Sequence, residues 1–427
     1  MPFRWFFIGN ILFIFGIQLQ TAVAAWEIYE RTGQLLDLAK IGLVQVVPAI
    51  LLAIPAGQLI DRVDRRKVII ASLILFLISA LTLAVLSWVS GPVEGILACL
   101  FFNGIVRVVQ QPAKASLLPR LVPRTVFANA VTWSTTGFQF ALVTGPAAAG
   151  LLLRYLGPLS GYLVAAVLAI VFIAALLQLP NQPPQAASER ISWGSLLAGV
   201  AYLRRTRLLL AVISLDMFAV LFGGCTALLP VFAKDILDSG PSGYGWLRAA
   251  PGIGALLMSF TLASRPPMRR TGPALFGSVA VFALATIGFG LSRSLPLSWF
   301  LLLVTGAFDM ISVIIRHTLM QLWTPDAMRG RVSAINGMFI SVSNELGSAE
   351  SGYVAHLFER PGDPAFGPTI STVSGGIGSL IVIAIIAWLY PEVRRHGRLD
   401  QGPDELTHPP AAADANQASH QQPGSPA

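Results

Sequence analysis

Apolar residues in this chain run in blocks rather than alternating with polar ones. Twelve such blocks, each close to 20 residues, stand at 5–26, 41–60, 68–88, 95–113, 128–153, 159–179, 208–232, 243–263, 273–291, 297–320, 332–355 and 370–390. A block of that length spans the hydrocarbon core of a bilayer as one helix, and such helices tolerate internal glycine and proline. The pattern predicts twelve spans. The first block has a competing reading: Arg4, the run Trp5–Ile17 and Ala22-Val23-Ala24 also fit a cleavable signal peptide. Cleavage would leave an odd number of spans and break the symmetry described below, so an uncleaved helix is expected.

Composition supports a lipid solvent. Hydrophobic residues make up 54% of the 427 and charged residues 12%, against about 25% charged in soluble domains. This excludes an ordinary soluble enzyme, and so apolar a chain is not disordered. A net charge of +8 would suggest nucleic acid in a soluble protein, but here its placement decides. Of 29 basic residues, 20 fall at the ends and loops that share a side with the N-terminus, and seven fall opposite. The bias places both termini in the cytoplasm and removes the nucleic-acid reading. Cys99 and Cys225 lie inside apolar blocks and read as packing residues. The sequence shows no metal-ligand cluster, phosphate loop or dinucleotide fingerprint, so neither a cofactor nor an ATPase subunit is expected.

The twelve blocks divide into two sets of six. Residues 1–179 form the first, 180–207 a proline-rich linker with an amphipathic stretch at 191–207, and 208–390 the second; 391–427 reads as a disordered tail. A shift of 202 positions superimposes Gly104 on Gly306, Pro123 on Pro325, Gly145 on Gly347 and Gly150 on Gly352. Duplicated halves place a substrate site between them near the midplane.

Between the second and third blocks stands Gly57-Gln-Leu-Ile-Asp61-Arg62-Val-Asp-Arg65-Arg66-Lys67. Gly57 permits close backbone approach, and Asp61 at the membrane edge can accept from an arginine or meet a helix N-terminus. A plain positive-inside anchor accounts for the bases but not for Gly57 and Asp61. This loop resembles that of the major facilitator superfamily, over about the first 390 residues. The resemblance implies an all-α polytopic fold of two pseudo-symmetric six-helix bundles, and a cytoplasmic gate at Gly57, Asp61, Arg62, Arg65 and Arg66. The corresponding stretch 264–270 lacks the acid. Gly145-Pro146-Ala-Ala-Ala-Gly150 resembles the Gly-Pro element of exporter members, although alanines replace glycines at 141 and 149; generic small-residue packing is the alternative. Leu229-Pro-Val-Phe, the stretch 245–255, Arg329-Gly-Arg331 and Ser343–Gly352 resemble the enterobactin-exporter branch, bacterial siderophore and multidrug exporters grouped as transmembrane secretion effectors.

Charges inside spans are costly and usually face a bundle interior or a wet cavity. The candidates are Asp216, Asp309, Arg316, Glu345, Glu350 and Arg107. The 202 shift superimposes Arg107 on Asp309, which raises the expectation that they face one another. A proton carrier needs a carboxyl whose affinity changes with desolvation and with a nearby cation; a static ion-pair network is the alternative. Glu27, Glu30 and Asp37 are expected to be solvated. Gln18, Gln20, Asn103 and Gln110 offer polar contacts, and Trp5, Phe13, Trp133, Phe138, Phe140, Phe218 and Phe222 are cavity or packing aromatics.

The leading expectation is proton-coupled efflux of a small amphipathic molecule by a monomer in the bacterial inner membrane, with no covalent chemistry. An importer or facilitator on the same scaffold is the alternative, followed by a non-transporting sensor and a membrane-embedded enzyme.

Overall fold

The computed structural model describes residues 2–180, 193–266, 268, 270–395, 397 and 399. Twelve long helices carry the chain back and forth: α1 (Pro2–Thr32), α2 (Leu35–Arg62), α3 (Arg65–Trp88), α4 (Val93–Leu121), α5 (Phe127–Leu156), α6 (Pro158–Leu177), α7 (Arg207–Phe222), α8 (Gly240–Ala263), α9 (Thr271–Leu291), α10 (Leu295–Trp323), α11 (Asp326–Leu357) and α12 (Phe366–Leu389). Each carries one of the predicted blocks. Among the described residues, 11 segments are long and apolar enough to cross a membrane. The helix left out is α11, which Asn336, Ser343, Asn344, Glu345 and Glu350 make too polar. A further break comes after α7: Gly223-Gly224 end the helix, and the span continues as a 3₁₀ turn at Cys225–Leu228 and a π turn at Phe232–Ile236.

Packing partners repeat between the halves. In the first, α1 packs on α5 and α6, α2 on α4, and α3 on α4 and α6; in the second, α7 packs on α11 and α12, α8 on α10, and α9 on α10 and α12. The halves meet through the exchanged pairs α2–α11 and α5–α8. The 202 shift holds at atomic detail. A Cβ on Gly104 would press Pro48 of α2 at 3.0 Å, and one on Gly306 would collide with Pro251 of α8. Gly145 abuts α1 and Gly347 abuts α7, with ideal Cβ positions 3.0 Å from Phe15 O and 2.7 Å from Leu221 O. Gly150 lies against Gly245 of α8, and Gly352 against Ala39 of α2. Pro123 and Pro325 each accept a bond from the amide three residues on, at 3.1 and 2.9 Å.

Three apolar cores define the shape. One joins both halves at a single end, running from Leu19, Trp26 and Tyr162 to Phe232, Tyr244, Phe289 and Ala355. At the opposite end, which carries the linker, each half has its own core: Phe13, Phe76 and Phe172 in the first, Leu215, Ile315 and Ile335 in the second. The bundle is therefore closed at its far side and parted at its linker side. An added Cβ on Gly330 or Gly337, in the linker-side half of α11, would meet nothing within 4 Å.

The stretch read as tail from 391 starts with a short helix, Pro391–Arg395, in which Val393 is buried; Thr271 N donates to Gly397 O (2.8 Å) and Leu399 N to Met268 O (3.0 Å). The apolar side chains of Val393 and Leu399 fill the gap at the start of α9 and tie this stretch down. In the linker, a surface helix spans Trp193–Arg205 and docks on protein, since an added Cβ on Gly199 would strike Ile335 of α11 at 2.5 Å and Tyr202 donates to Trp323 O (2.5 Å). The linker at 181–192 and the tail beyond 399 lie outside the described residues.

Candidate functional site

The polar groups lie in three layers. At the far side a latch crosses between the halves: Tyr29 donates to Asp235, Tyr244 donates to Ala22 O (3.1 Å), and Arg248 donates to the Tyr244 hydroxyl (3.3 Å). Lys234 stands over the Tyr29 ring at 5.6 Å, and Trp26 packs on Tyr244 at 5.4 Å. The two bonds that cross between the halves were not visible in the sequence, because their partners are 206 and 222 positions apart. Tyr29→Phe removes one latch bond, worth about 1 kcal/mol. It is expected to speed labelling of the native Cys225, buried in the shared core, several-fold; unchanged labelling would remove Tyr29 from the latch.

Beside the latch, the expectation of solvated acids fails for Glu27 and Asp37 and holds for Glu30. Glu27 is buried, ion-paired to Arg31 one turn on, and accepts from Tyr162 (2.6 Å); Asp37 is buried and paired to Lys40 (2.7 Å). Both sit one turn from a base on their own helix, which lets the pair fold inward with its charge satisfied. Glu30 is exposed and accepts from Trp26 Nε1 (3.1 Å).

The central layer carries the charged candidates. Arg107 of α4 donates through Nη1 to Glu345 of α11 (2.6 Å) and to Gln45 of α2 (3.1 Å). The pair joins opposite halves, with side-chain exposures of 46% for Arg107 and 14% for Glu345, so the arginine opens onto the space between them. Arg107 therefore meets Glu345 rather than its repeat equivalent. Asp309 belongs to a separate cluster inside the second half, where it lines a small cavity with Asp216, Ser312 and Phe282. Arg316 is ion-paired to Asp216, and both are almost wholly buried. Glu350 is removed from both sites and accepts from Ser351 (3.4 Å).

The third layer is the gate motif. Gly57 is buried, Arg62 is exposed, and no side-chain position is described for Asp61. Asp64 caps α3 by accepting from Arg66 N (2.8 Å), and Arg65 is buried. Arg66 donates to Leu179 O (2.5 Å) and Leu177 O (3.1 Å), the unsatisfied carbonyls at the end of α6. These contacts stay within the first half, as they must where the linker side is parted.

In the Gly145-Pro146-Gly150 element, Gly145 packs on α1, while Pro146 O and Gly150 meet Gly245 of the other half. Among the aromatics, Phe13 is buried between Phe76 (5.0 Å) and Phe172 (5.8 Å), whereas Trp5, Trp133, Phe138, Phe140 and Phe218 are exposed. Lys114, one residue past the 95–113 block, sits inside α4 over the Phe13 ring at 5.4 Å. Its signal lay in the repeat, because position 114 shifted by 202 is Arg316.

The profile of the transmembrane secretion effectors matches residues 1–414. The chain belongs to that family. Its similarity to the enterobactin exporter EntS of Escherichia coli strain SMS-3-5 is 27% identity over 357 residues, 82% of each chain. The EntS of Shigella boydii serotype 18 is 26% identical over 355 residues, again 82% of each. Among solved structures, a bacterial homologue of the human lysosomal transporter Spinster, inward-facing and occupied, superposes with TM-score 0.69 at 15% identity, covering 92% of this chain and 96% of that one. The nucleoside transporter NupG gives 0.68 at 15%, covering 91% and 99%. These likenesses show the major facilitator fold. This family member is a multi-pass membrane transporter of that type.

Proposed function

We propose that this chain exports a small amphipathic molecule, siderophore-like or drug-like, across a bacterial inner membrane in exchange for protons. The observation that carries this reading is the pairing of one shared core at the far side with two separate cores at the linker side. A charged midplane lies between, the arrangement that alternating access requires. The basic bias places the linker side in the cytoplasm, so the described state faces inward. Efflux is supported by the names of the relatives and by the Gly145-Pro146-Gly150 surface where the halves touch.

For coupling, the second-half cluster is the stronger candidate. It holds two carboxyls, Asp216 and Asp309, and one guanidinium, Arg316, so a single proton brings it to neutrality in a region where net charge is costly. Arg316 already holds Asp216, which leaves Asp309 to receive that proton. Glu345, held by Arg107 at the junction of the halves, ties binding to the rocking motion.

Proteoliposomes with an imposed pH gradient test the reading, using dyes, antibiotics and siderophores as cargo. Absence of pH-dependent flux for the whole panel would sink it. Asp309→Asn is expected to keep downhill flux and lose uphill accumulation; uphill transport at the wild-type level removes Asp309 from coupling. Growth under iron limitation, with siderophore measured outside the cell, narrows the cargo.

A further inference from the structure

The two halves place polar stripes at matching positions of α4 and α10. Arg107, Gln110 and Lys114 stand at i, i+3 and i+7 of α4, and the 202 shift carries them onto Asp309, Ser312 and Arg316 of α10. Such spacing puts each set on one helix face. In the second half the cation is neutralised locally, since Arg316 pairs with Asp216 beside Asp309. The first half differs. Among its described carboxylates, Glu27 is held by Arg31, Asp37 by Lys40, Glu30 by Trp26 and Asp64 by the start of α3. The fifth, Glu94, lies in the first turn of α4, 13 residues or roughly 20 Å along the helix from Arg107.

Among the described residues, the α4 stripe is thus a pair of cations without an acid of its own half. Lys114 rests on the face of the Phe13 ring, a weak substitute for a counter-ion. Gln110, between the two cations, is 2% exposed, and among the described residues neither of its amide atoms has a hydrogen-bond partner. Arg107 is neutralised from across the cavity, and through one nitrogen alone: Nη1 makes both recorded bonds, to Glu345 and Gln45. Among the described residues its Nη2 and Nε have no partner, while the side chain is about half exposed to the space between the halves. A guanidinium presents a fork that two oxygens of one anion fill better than a single carboxylate oxygen does.

We propose that the α4 stripe Arg107–Gln110–Lys114 is the docking site for an anionic group on the transported molecule, such as a carboxylate, phenolate or sulfonate, and that Glu345 is a built-in competitor for it. The amphipathic body of the cargo lies in the cavity between the halves, and its anionic end takes the fork on Arg107 while Glu345 yields. This names the cargo class and rests on the reading of the central space as the cargo site.

Binding of matched probes to the full chain in nanodiscs tests it. The probes are naphthalene-1-sulfonate, a permanent anion; naphthalene-1-sulfonamide, neutral; and 1-naphthyltrimethylammonium, a permanent cation. The anion is expected to bind best. Glu345→Gln removes the competitor and is expected to tighten the anion about tenfold, while Arg107→Gln loosens it at least about tenfold. Arg107→Lys should restore part of the loss, and Lys114→Gln should weaken the anion several-fold. Preference for the cation, absence of anion binding to both wild type and Glu345→Gln, or weaker anion binding in Glu345→Gln would each overturn the proposal. So would unaltered anion binding in an Arg107→Gln protein that melts like wild type. If Arg107→Gln does not fold, the Glu345→Gln arm decides alone. Anion binding in a protein that shows no pH-driven flux would overturn the efflux reading and leave this one standing.

Discussion

Asp216→Ala is expected to be among the most damaging single replacements in the protein, costing about 3–5 kcal/mol of stability. Asp216 and Arg316 are both almost wholly buried and pair within the second half, and among the described residues Arg316 Nε lacks a hydrogen-bond partner. Removing the carboxylate strands a guanidinium in a low-dielectric interior, where the lone ion is penalised far more than the pair contributes. Removing both ions should therefore hurt less than removing one. Asp216→Leu combined with Arg316→Met is expected to recover most of the loss, a double-mutant cycle of large coupling. Thermal unfolding of the purified variants, with the monomer fraction from gel filtration, checks this. A single mutant as stable as wild type, or a double mutant worse than both singles, would show that the pair does not hold the second half together. Asp309→Asn should unfold near the wild-type temperature, because Asp309 takes no part in that ion pair.

Gly245→Val carries the second large effect, on mechanism rather than folding. A Cβ at this position would lie 2.8 Å from Gly150 Cα and 2.9 Å from Pro146 O, backbone atoms of α5 in the opposite half that cannot rotate away. Overpacking of this kind costs roughly 1–3 kcal/mol, and here the strain falls on the contact that closes the far side. Each half keeps its own partners and its own linker-side core, so the strain is relieved by parting the far side rather than by unfolding. Two states separated by a few kcal/mol respond to such a bias with a change in population of about fivefold at its low end and about a hundredfold at its high end. We expect transport to fall at least about fivefold with little change in unfolding temperature. The readout is a cysteine pair at Arg154 and Ser242, whose side chains meet at 3.5 Å across the same seam. Cross-linking should drop sharply in Gly245→Val, and wild-type efficiency would show that the seam absorbs the extra methyls.

The sequence carried the architecture further than it carried the partners. Block length alone located all twelve helices, and the 202 shift named glycines whose contacts prove equivalent, because a duplicated chain repeats its close approaches wherever it repeats its crossings. Polarity along one helix says which face is buried but not what it meets. Arg107 was singled out by its charge, yet its partners Gln45 and Glu345 lie 62 and 238 residues away, and the repeat pointed to Asp309 instead. Glu27 and Asp37 looked like loop acids because hydropathy cannot distinguish a solvated carboxylate from one folded inward beside its own i+4 or i+3 base. Lys114 fell just outside the 95–113 block because a lysine near the end of an apolar run usually marks that end, whereas α4 continues to Leu121.

The polarity of α11 bears on how the protein is made. Eleven segments carry enough apolar length to partition into a bilayer by composition, and α11 does not, because Glu345 and its polar neighbours each weigh against insertion. Presented alone to the insertion machinery, it would favour water. Its entry depends on helices that accept its polar face, with α2, α7 and α12 the main surfaces it packs on in the finished bundle. The nascent chain must therefore hold α2 ready while more than 260 residues between it and α11 are synthesised. The residues that join the two halves at Arg107 and Glu345 thus also make the second half dependent on the first for its own assembly.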